Sequence, residues 1–205
     1  MKSIILPGMG ADSGMYAHEA YEKLCGLFFA DWPAYNDERS ISEIAHRVID
    51  ENNINENCMV GGSSLGGIIA AEISKLVKVK KLVLIGSTLS PLNINPVLRN
   101  MSGLAEVLPV HLVQILTGKI SLTYENSVIE MFSRAESDFI KAMCRAVFEW
   151  SGNVEPECEV CHIHGAKDTV ILPPADGATI LEDAGHLLAV THSVKVAEFI
   201  GNAMA

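Results

Sequence analysis

The stretch CMVGGSSLGGIIAAEISKLV (residues 58–77) joins an apolar run, a glycine-rich turn and a helix-forming segment. Its first five residues predict a buried strand, and Leu65–Val77 predict the helix behind that strand. The turn between them reads Gly62-Ser63-Ser64-Leu65-Gly66 and fits the pattern G-x-S-x-G. In that pattern a sharp strand-to-helix turn strains the central residue and lifts its hydroxyl clear of the sheet. The segment therefore predicts a nucleophilic serine at the end of a strand.

The register of this turn favours Ser64 over Ser63 as the nucleophile. The residues two positions before and after the nucleophile must be small, because larger side chains would collide across the turn. Gly62 and Gly66 meet this demand around Ser64, whereas a nucleophilic Ser63 would place Leu65 at one of the small positions. A glycine-rich turn can also hold a phosphate, but a Walker-type loop needs a lysine at the helix start, and none lies there.

Strand and helix patterns alternate over most of the chain. The other short apolar runs that predict strands are Ser3–Leu6, Leu27–Trp32, Lys81–Ser87, Glu159–Gly165 and Ala178–Asp183. Helices are predicted at Asp12–Leu24, at Ile41–Ile49 behind a capping-box pattern of Ser40 and Glu43, and at about Thr191–Met204. This alternation predicts an α/β fold with a mostly parallel sheet and helices on both faces.

Residues 90–150 differ from the rest, because no strand pattern occurs there. Apolar side chains recur instead at helical spacing, at Leu104, Val107, Leu108, Leu112, Ile115 and Leu116. We expect a single domain over residues 1–205, with a core of about 1–89 and 151–205 and a helical cap insertion of about 90–150 over the strand ends.

The apolar stripe of this insertion has two interpretations. Turned toward Ser64, it would line a mostly hydrophobic pocket that favours neutral acyl groups of small or medium size. Packed onto the sheet, it would leave the pocket small and without acyl selectivity. Cations for a charged acyl group would have to come from Arg99, Lys119, Arg134 or Arg145.

A serine hydroxyl needs a neighbouring base to accept its proton. Behind a G-x-S-x-G turn the expected order along the chain is Ser, then Asp or Glu, then His. Asp168 and His186 each follow a predicted strand, so the carboxyl ends of the strands would bring both to the same sheet edge as Ser64. We therefore predict Asp168 as the acid and His186 as the base.

Other residues remain candidates for these two roles. They are Asp176 and Asp183 for the acid, and His162, His164 and His192 for the base. His192 lies at a predicted helix start, where a surface role is expected. His162 and His164 share one face of a strand, which fits packing or supporting roles.

Acyl transfer also needs two N–H donors that stabilise the oxyanion. Leu65, directly after the nucleophile, is expected to supply one of them. Met9 is expected to supply the other, from the turn Pro7-Gly8-Met9-Gly10, where glycine lets an amide turn inward.

With these turns in place, the chain resembles the α/β-hydrolase superfamily and looks like a compact serine esterase or thioesterase. The resemblance covers about Ser3–Ser87 and Glu159–Met204. The turns that carry it are the oxyanion loop Pro7–Gly10, the elbow Gly62–Gly66, the acid turn His164–Asp168 and the base turn Gly185-His186. It implies the α/β-hydrolase fold, a catalytic triad and no cofactor.

The sequence departs from the family pattern in two places. It starts where the family's third strand usually lies, so the early antiparallel hairpin is expected to be missing. His186 follows Asp168 by only 18 positions, with Pro173 and Pro174 between them, so the helix usual there must be very short or absent. Serine in the elbow argues against the members that use an aspartate nucleophile for dehalogenation.

Net charge, apolar runs and cysteine spacing limit the partners and the cellular location that are expected. A net charge of -10 argues against nucleic acid and anionic membranes. No signal peptide and no apolar run long enough for a membrane helix is recognised, so a cytoplasmic protein is expected. The five cysteines are odd in number and irregularly spaced. Cys158 and Cys161 would point to opposite faces of a strand, so neither a disulfide framework nor a metal site is expected.

These features predict an enzyme that cleaves a small-molecule carboxylic ester or thioester through an acyl-enzyme on Ser64. An acyltransferase or a lyase that uses the same triad is the alternative, as is a non-catalytic signalling protein that retains the fold. A hydrolase and a transferase differ only in what resolves the acyl-enzyme, so the sequence leaves this choice open, together with the oligomeric state.

Overall fold

The computed structural model describes residues 2–96, 98 and 130–205. The predicted apolar stripe between Leu104 and Leu116, together with Arg99 and Lys119, lies outside these residues.

A single sheet forms the centre of the described chain. Its strands are β1 (Lys2–Leu6), β2 (Leu27–Phe29), β3 (Cys58–Ser63), β4 (Lys81–Ile85), β5 (Glu159–Gly165) and β6 (Thr179–Leu181). They lie in the order β2-β1-β3-β4-β5-β6, and each neighbouring pair is parallel. The parallel sheet predicted from the sequence is confirmed.

Helices separate most of these strands along the chain. They are α1 (Glu19–Glu22), α2 (Ile41–Asn52), α3 (Leu65–Leu76), α4 (Ser137–Glu149), α5 (Leu188–Thr191) and α6 (Ser193–Met204). Short 3-10 turns occur at Ser13–Tyr16 and Pro91–Asn93. In the ranges that the structure describes, no helix has both the length and the apolar character that a membrane crossing requires.

The core lies on both faces of the sheet, because successive residues of a strand point to opposite sides. Ile4 and Leu6 of β1 pack with the apolar faces of α2 and α3, whereas Ile5 packs with α6 on the other face. Full burial of an isoleucine or leucine side chain stabilises the fold by about 1.5–3 kcal/mol. Both layers are therefore needed to hold the strands, and with them the residues at the strand ends.

The predicted helix Asp12–Leu24 is wrong, because the structure breaks this segment in two. The Asp12 side chain accepts a hydrogen bond from the Gly14 N–H and starts a 3-10 turn that ends at Tyr16. His18 is extended, with φ of -69° and ψ of 139°, and its ring accepts from the Ala20 N–H to begin α1. Two side chains that cap short turns therefore override the four-residue spacing of the apolar residues.

Several predicted elements also end elsewhere than expected. β2 stops at Phe29 instead of Trp32. β4 stops before Gly86, whose φ of 53° takes the chain out of the extended conformation. The final helix, predicted from about Thr191, begins at Ser193 as α6, because His192, with φ of -129° and ψ of 36°, separates it from the short α5.

The described part of residues 90–150 contributes α4. This helix packs Phe139, Met143 and Ala146 into the same core layer as α2 and α3. After it, Trp150 Nε1 donates a hydrogen bond to Glu72 Oε2 of α3 at 3.2 Å. The end of this segment is thus held firmly on the α3 side of the sheet.

The edge formed by the carboxyl ends of the strands positions the candidate site. Met9 follows β1 and Ser64 follows β3, while Asp168 and His186 follow β5 and β6. No helix lies between Asp168 and His186, in a segment that the structure describes completely, as the short spacing predicted. Parallel pairing therefore brings four distant segments of sequence to one place.

Ser40→Ala is expected to lower the free energy of unfolding by about 1 kcal/mol. Ser40 Oγ accepts from the Glu43 N–H at 3.1 Å and caps α2. The Glu43 carboxylate accepts from the Arg39 N–H, so the capping box is closed one residue earlier than the usual pattern. Ser42→Ala, inside the same helix, is the matched control and should cost little or nothing in urea denaturation. Equal losses for the two variants would contradict this capping role.

Candidate active site

Ser64 joins β3 to α3 in a strained backbone conformation, with φ of 52° and ψ of -117°. Its N–H donates to Ile85 O at 3.1 Å, and its carbonyl accepts from the N–H groups of Gly67 and Ile68. Ser87 Oγ also donates to this carbonyl, at 2.7 Å. A positive φ costs a non-glycine residue about 1–3 kcal/mol. Hydrogen bonds on both sides of Ser64 therefore hold the turn in place.

Gly62 and Gly66 are required by close backbone contacts at this turn. A Cβ on Gly62 would lie 2.4 Å from the carbonyl carbon of Gly66. A Cβ on Gly66 would lie 2.4 Å from Pro7 O, at the end of β1. Backbone atoms cannot move aside as a flexible side chain can, so neither position accepts a larger residue. The contacts give the physical reason for the small residues that the G-x-S-x-G pattern requires on both sides of Ser64.

The imidazole of His186 links Ser64 to Asp168. Its Nε2 lies 2.8 Å from Ser64 Oγ, and its Nδ1 lies 2.7 Å from Asp168 Oδ2. The ring nitrogen that faces the carboxylate carries the hydrogen, which leaves Nε2 free to accept from the Ser64 hydroxyl. The side chains of His186 and Asp168 are only 6% and 0% exposed, so bulk water does not compete for these hydrogen bonds. The structure thus brings together the three residues selected from the sequence.

The carboxylate of Asp168 is buried and fully hydrogen-bonded. Its Oδ1 accepts from the N–H groups of Val170 and Ile171 at 2.8 and 3.1 Å. Burial by itself raises the pKa of Asp168, but the charge of His186 and hydrogen bonds from His164, His186 and Val170 outweigh it. The pKa of Asp168 consequently lies well below its ordinary value, and the carboxylate stays ionised at neutral pH.

A second imidazole faces the same carboxylate. Nε2 of the fully buried His164 lies 3.2 Å from Asp168 Oδ2 and 3.0 Å from Ile171 O. Nδ1 of the same ring lies 3.1 Å from Nε2 of His162. Burial, with the neighbouring His164, lowers the pKa of His162 to about 4, so this ring is neutral at pH 7. Strand periodicity placed the two histidines on one face, but the contact of His164 with Asp168 depends on the turn after β5.

The alternative acid and base form a separate pair. Nε2 of His192 lies 3.2 Å from Asp183 Oδ2, and the side chain of Asp183 is largely exposed. The hydrogen bond from His192 lowers the pKa of Asp183. Asp176 is also exposed. None of these three residues is hydrogen-bonded to Ser64 or His186 in the described chain.

Met9 and Leu65 line the same cavity as Ser64. Within the described residues, neither N–H donates to another protein group, whereas the surrounding loop is hydrogen-bonded. Gly8 O accepts from Trp32 Nε1 at 3.1 Å and from the Ala11 N–H at 3.2 Å. Two unengaged N–H groups next to a serine hydroxyl are what an oxyanion site requires.

Tyr16 connects the ends of β1 and β3 beside the site, and the sequence did not predict this role. Its hydroxyl lies 2.9 Å from both Leu6 O and Ser63 Oγ. Because burial raises the pKa of Tyr16 far above its ordinary value, the phenol remains protonated. One hydrogen serves two contacts, so Tyr16 donates to Leu6 O and accepts from the Ser63 hydroxyl. No local pattern marks a tyrosine in a 3-10 turn as a partner of the β1 and β3 ends.

Two largely apolar cavities share Ser64 and Met9 in their walls. The first, of about 60 Å³, is lined mainly by Ile68, Leu98, Cys144, Val147, Phe148 and Val170. The second lies on the side of His186 and is lined by Met15, Met131, Phe132, Leu187 and Val190. Burial raises the pKa of Cys144 to about 11, so its thiol is a neutral part of the first wall. No charged side chain from the described ranges lines either cavity.

The cysteines do not form a metal centre with the neighbouring histidines in the described residues. All five thiols are free, and Cys161 Sγ contacts Glu159 Oε1 at 3.5 Å. His162 faces His164 instead of a sulfur. Residues 2–96, 98 and 130–205 contain no group of three or more histidine, cysteine, aspartate or glutamate side chains arranged to hold a metal ion.

Solved structures match nearly the whole chain, although no family model and no curated protein sequence matches it. A thermophilic esterase from Thermogutta terrifontis aligns with a TM-score of 0.79 and 16% identity, over 98% of this chain and 88% of its own. The type II thioesterase YbtT of the yersiniabactin biosynthetic pathway aligns with a TM-score of 0.69 and 17% identity, over 98% and 91%. The enol-lactonase from Burkholderia xenovorans LB400 gives a TM-score of 0.70 and 15% identity, over 98% and 90%. The chain therefore has the α/β-hydrolase fold.

Gly62→Ala is expected to destabilise the protein by about 3 kcal/mol or more, because its Cβ would overlap backbone atoms of Gly66. Gly185→Ala is the matched control, since its Cβ would make only an ordinary contact with Lys167 O at 3.8 Å. Thermal unfolding followed by circular dichroism measures both variants. A Gly62→Ala protein as stable as Gly185→Ala would show that the turn can open.

Proposed function

We propose that this protein is a serine hydrolase that cleaves a carboxylic ester or thioester through an acyl-enzyme on Ser64. The observation that carries the proposal is the hydrogen-bonded line from Ser64 Oγ through His186 to Asp168. Ser64 lies in a strained turn, and its side chain lines two apolar cavities. The backbone N–H groups of Met9 and Leu65, in the same region, have no protein acceptor among the described residues. Esterases, a thioesterase and an enol-lactonase among the structural neighbours support this class of reaction.

The first half-reaction acylates Ser64. His186 Nε2 accepts the hydroxyl proton as Oγ attacks the carbonyl carbon of the substrate, which forms a tetrahedral oxyanion. The N–H groups of Met9 and Leu65 donate to that oxyanion. When the intermediate collapses, the bond to the leaving group breaks, and His186 returns the proton to the departing oxygen or sulfur. A protonated imidazole cannot begin this step, so acid inhibits it.

The second half-reaction repeats these steps with water as the nucleophile. His186 takes a proton from water, the hydroxide attacks the acyl carbon, and Ser64 leaves with the proton returned to its Oγ. Asp168 orients the ring throughout and stabilises the imidazolium, without taking the proton itself. Its low pKa keeps it charged for this purpose.

The position of His186 indicates which cavity binds the acyl group and which binds the leaving group. The leaving group receives its proton from Nε2, so it must lie on the His186 side, in the second cavity. The acyl group then occupies the first cavity, between α3 and α4, whose described wall is apolar and neutral. Of the candidate cations, Arg134 pairs with Asp12, and Arg145 lines a groove with Arg39 and Glu149 outside both cavities. We infer a substrate with a neutral acyl group of small or medium size.

The insertion of about residues 90–150 is proposed to cap the site in the same single domain. Its described part supplies Ile94, Leu98 and three residues of α4 to the acyl wall. A cap that excludes water would also suit an acyltransferase or a lyase. Hydroxylamine tests this alternative, since an acyl-enzyme that prefers it strongly over water behaves as a transferase. A signalling protein without turnover would give no product with either acceptor.

Ser64→Ala is expected to abolish hydrolysis of p-nitrophenyl esters and acyl-thioesters, with a loss of several powers of ten in kcat. It should also abolish covalent labelling by a fluorophosphonate. Ser63→Ala is the matched control and should keep most of the activity, because among the described residues the Ser63 hydroxyl bonds to Tyr16 and not to His186. An active Ser64→Ala protein beside an inactive Ser63→Ala protein would reverse the assignment.

The acyl cavity is expected to select chain length. Each methylene buried should raise kcat/KM about fourfold, from about 0.8 kcal/mol of transfer free energy, until the cavity is full. Phe148→Ala should move the optimum to longer chains, because Phe148 lines this cavity. Phe28→Ala removes an equal side chain that is 52% exposed on β2 and should leave the profile unchanged. A flat profile from acetyl to octanoyl esters, or a preference for charged acyl groups, would contradict this assignment.

A further inference from the structure

The acid of the site has an additional partner that the proposed mechanism does not use. Asp168 Oδ2 receives His186 Nδ1 at 2.7 Å and also lies 3.2 Å from Nε2 of His164. The side chain of His164 is completely buried. Burying a polar ring costs free energy unless hydrogen bonds to neighbouring groups compensate for the lost water.

We propose that His164 is a positioning residue, whose Nε2–H holds the Asp168 carboxylate in the orientation and the charge state that His186 requires. The proposal rests on the proposed hydrolytic function, because it concerns the acid of that site. It extends the line of interacting side chains from three residues to five, with His162 behind His164.

The hydrogen on Nε2 follows from its surroundings. This nitrogen lies between two oxygen acceptors, Ile171 O at 3.0 Å and Asp168 Oδ2 at 3.2 Å. An unprotonated nitrogen would meet both lone pairs without a hydrogen bond, inside a buried pocket. The ring cannot rotate away, because its Nδ1 is held at 3.1 Å by His162 Nε2. The single Nε2–H of His164 is therefore held in a fixed position and shared between Ile171 O, its hydrogen-bond acceptor, and Asp168 Oδ2.

The donors around Asp168 divide between its two oxygens. The backbone N–H groups of Val170 and Ile171 hold Oδ1, and the two imidazoles hold Oδ2. With His164 absent, His186 would be the remaining partner of Oδ2 among the described residues. The titratable groups facing Asp168 in the described chain are His164 and His186, and His164 in turn faces His162.

His164→Met and His164→Asn remove the donor, since neither side chain can place an N–H at the position of Nε2. His164→Gln keeps a side-chain N–H that can reach Asp168. For the first two variants we expect kcat to fall about ten- to a hundredfold, the loss of one hydrogen bond to a charged group, with KM changed less than about twofold. The acid limb of the kcat/KM profile should move to higher pH, because the Asp168 anion is less stabilised. His164→Gln should restore most of kcat and the native limb.

Two further measurements separate positioning from a purely structural role. The low-field proton NMR resonance of the His186 Nδ1–H should shift in His164→Asn and stay near its native position in His164→Gln. This signal needs no substrate, so it tests His164 even if the wild-type protein hydrolyses no ester. His192→Met removes a histidine that pairs with Asp183 elsewhere and should change neither the resonance nor the pH profile.

Two results would overturn the proposal. In the first, the donor-removing variants lose thermal stability but keep the native kcat, acid limb and NMR resonance. In the second, His164→Gln is as impaired as His164→Asn, so that the N–H group has no role.

Discussion

The contact between the turn after β3 and the end of β1 constrains the rest of this structure. Gly66 approaches Leu6 O and Pro7 O so closely that a single added carbon would overlap them. Ser64, inside the turn that makes this contact, has a positive φ, and its hydroxyl lies 2.8 Å from His186 Nε2. It also fixes the loop that carries Met9 beside the start of α3. The proposed nucleophile and the two proposed oxyanion donors thus lie around one close backbone contact.

The second constraint is electrostatic. A carboxylate without solvent is costly, and Asp168 is tolerated because four hydrogen-bond donors surround it. Two of these donors are backbone amides of the turn after β5, so the turn must keep its shape for the charge to remain buried. The buried anion of Asp168 accepts a hydrogen bond from His186 Nδ1 and so orients the imidazole ring. The imidazole of His186 contacts both regions, Ser64 in the closely packed turn after β3 and the charged Asp168 after β5.

Local patterns predicted most of the fold, because buried parallel strands are continuous apolar runs and helices have apolar faces. β5 matched its predicted bounds, and the helix of Ile41–Asn52 began where Ser40 predicted. Periodicity failed where a side chain caps a turn, as at Asp12 and His18. A pattern of apolar residues records which side chains are buried, and two short helices can bury the same residues as one long helix.

The sequence by itself predicted that Ser64, and not Ser63, occupies the strained turn, since the requirement for small residues on both sides acts over five consecutive residues. It also narrowed the acid and base to a few candidates, because each follows a strand in a parallel sheet. Only the tertiary structure decided that His186 contacts Ser64 across 122 positions, while His192 pairs with Asp183 instead. The contact of His164 with Asp168 and that of Tyr16 with Ser63 likewise appear only after folding. Such contacts depend on where separate turns end in space, and no local spacing encodes that distance.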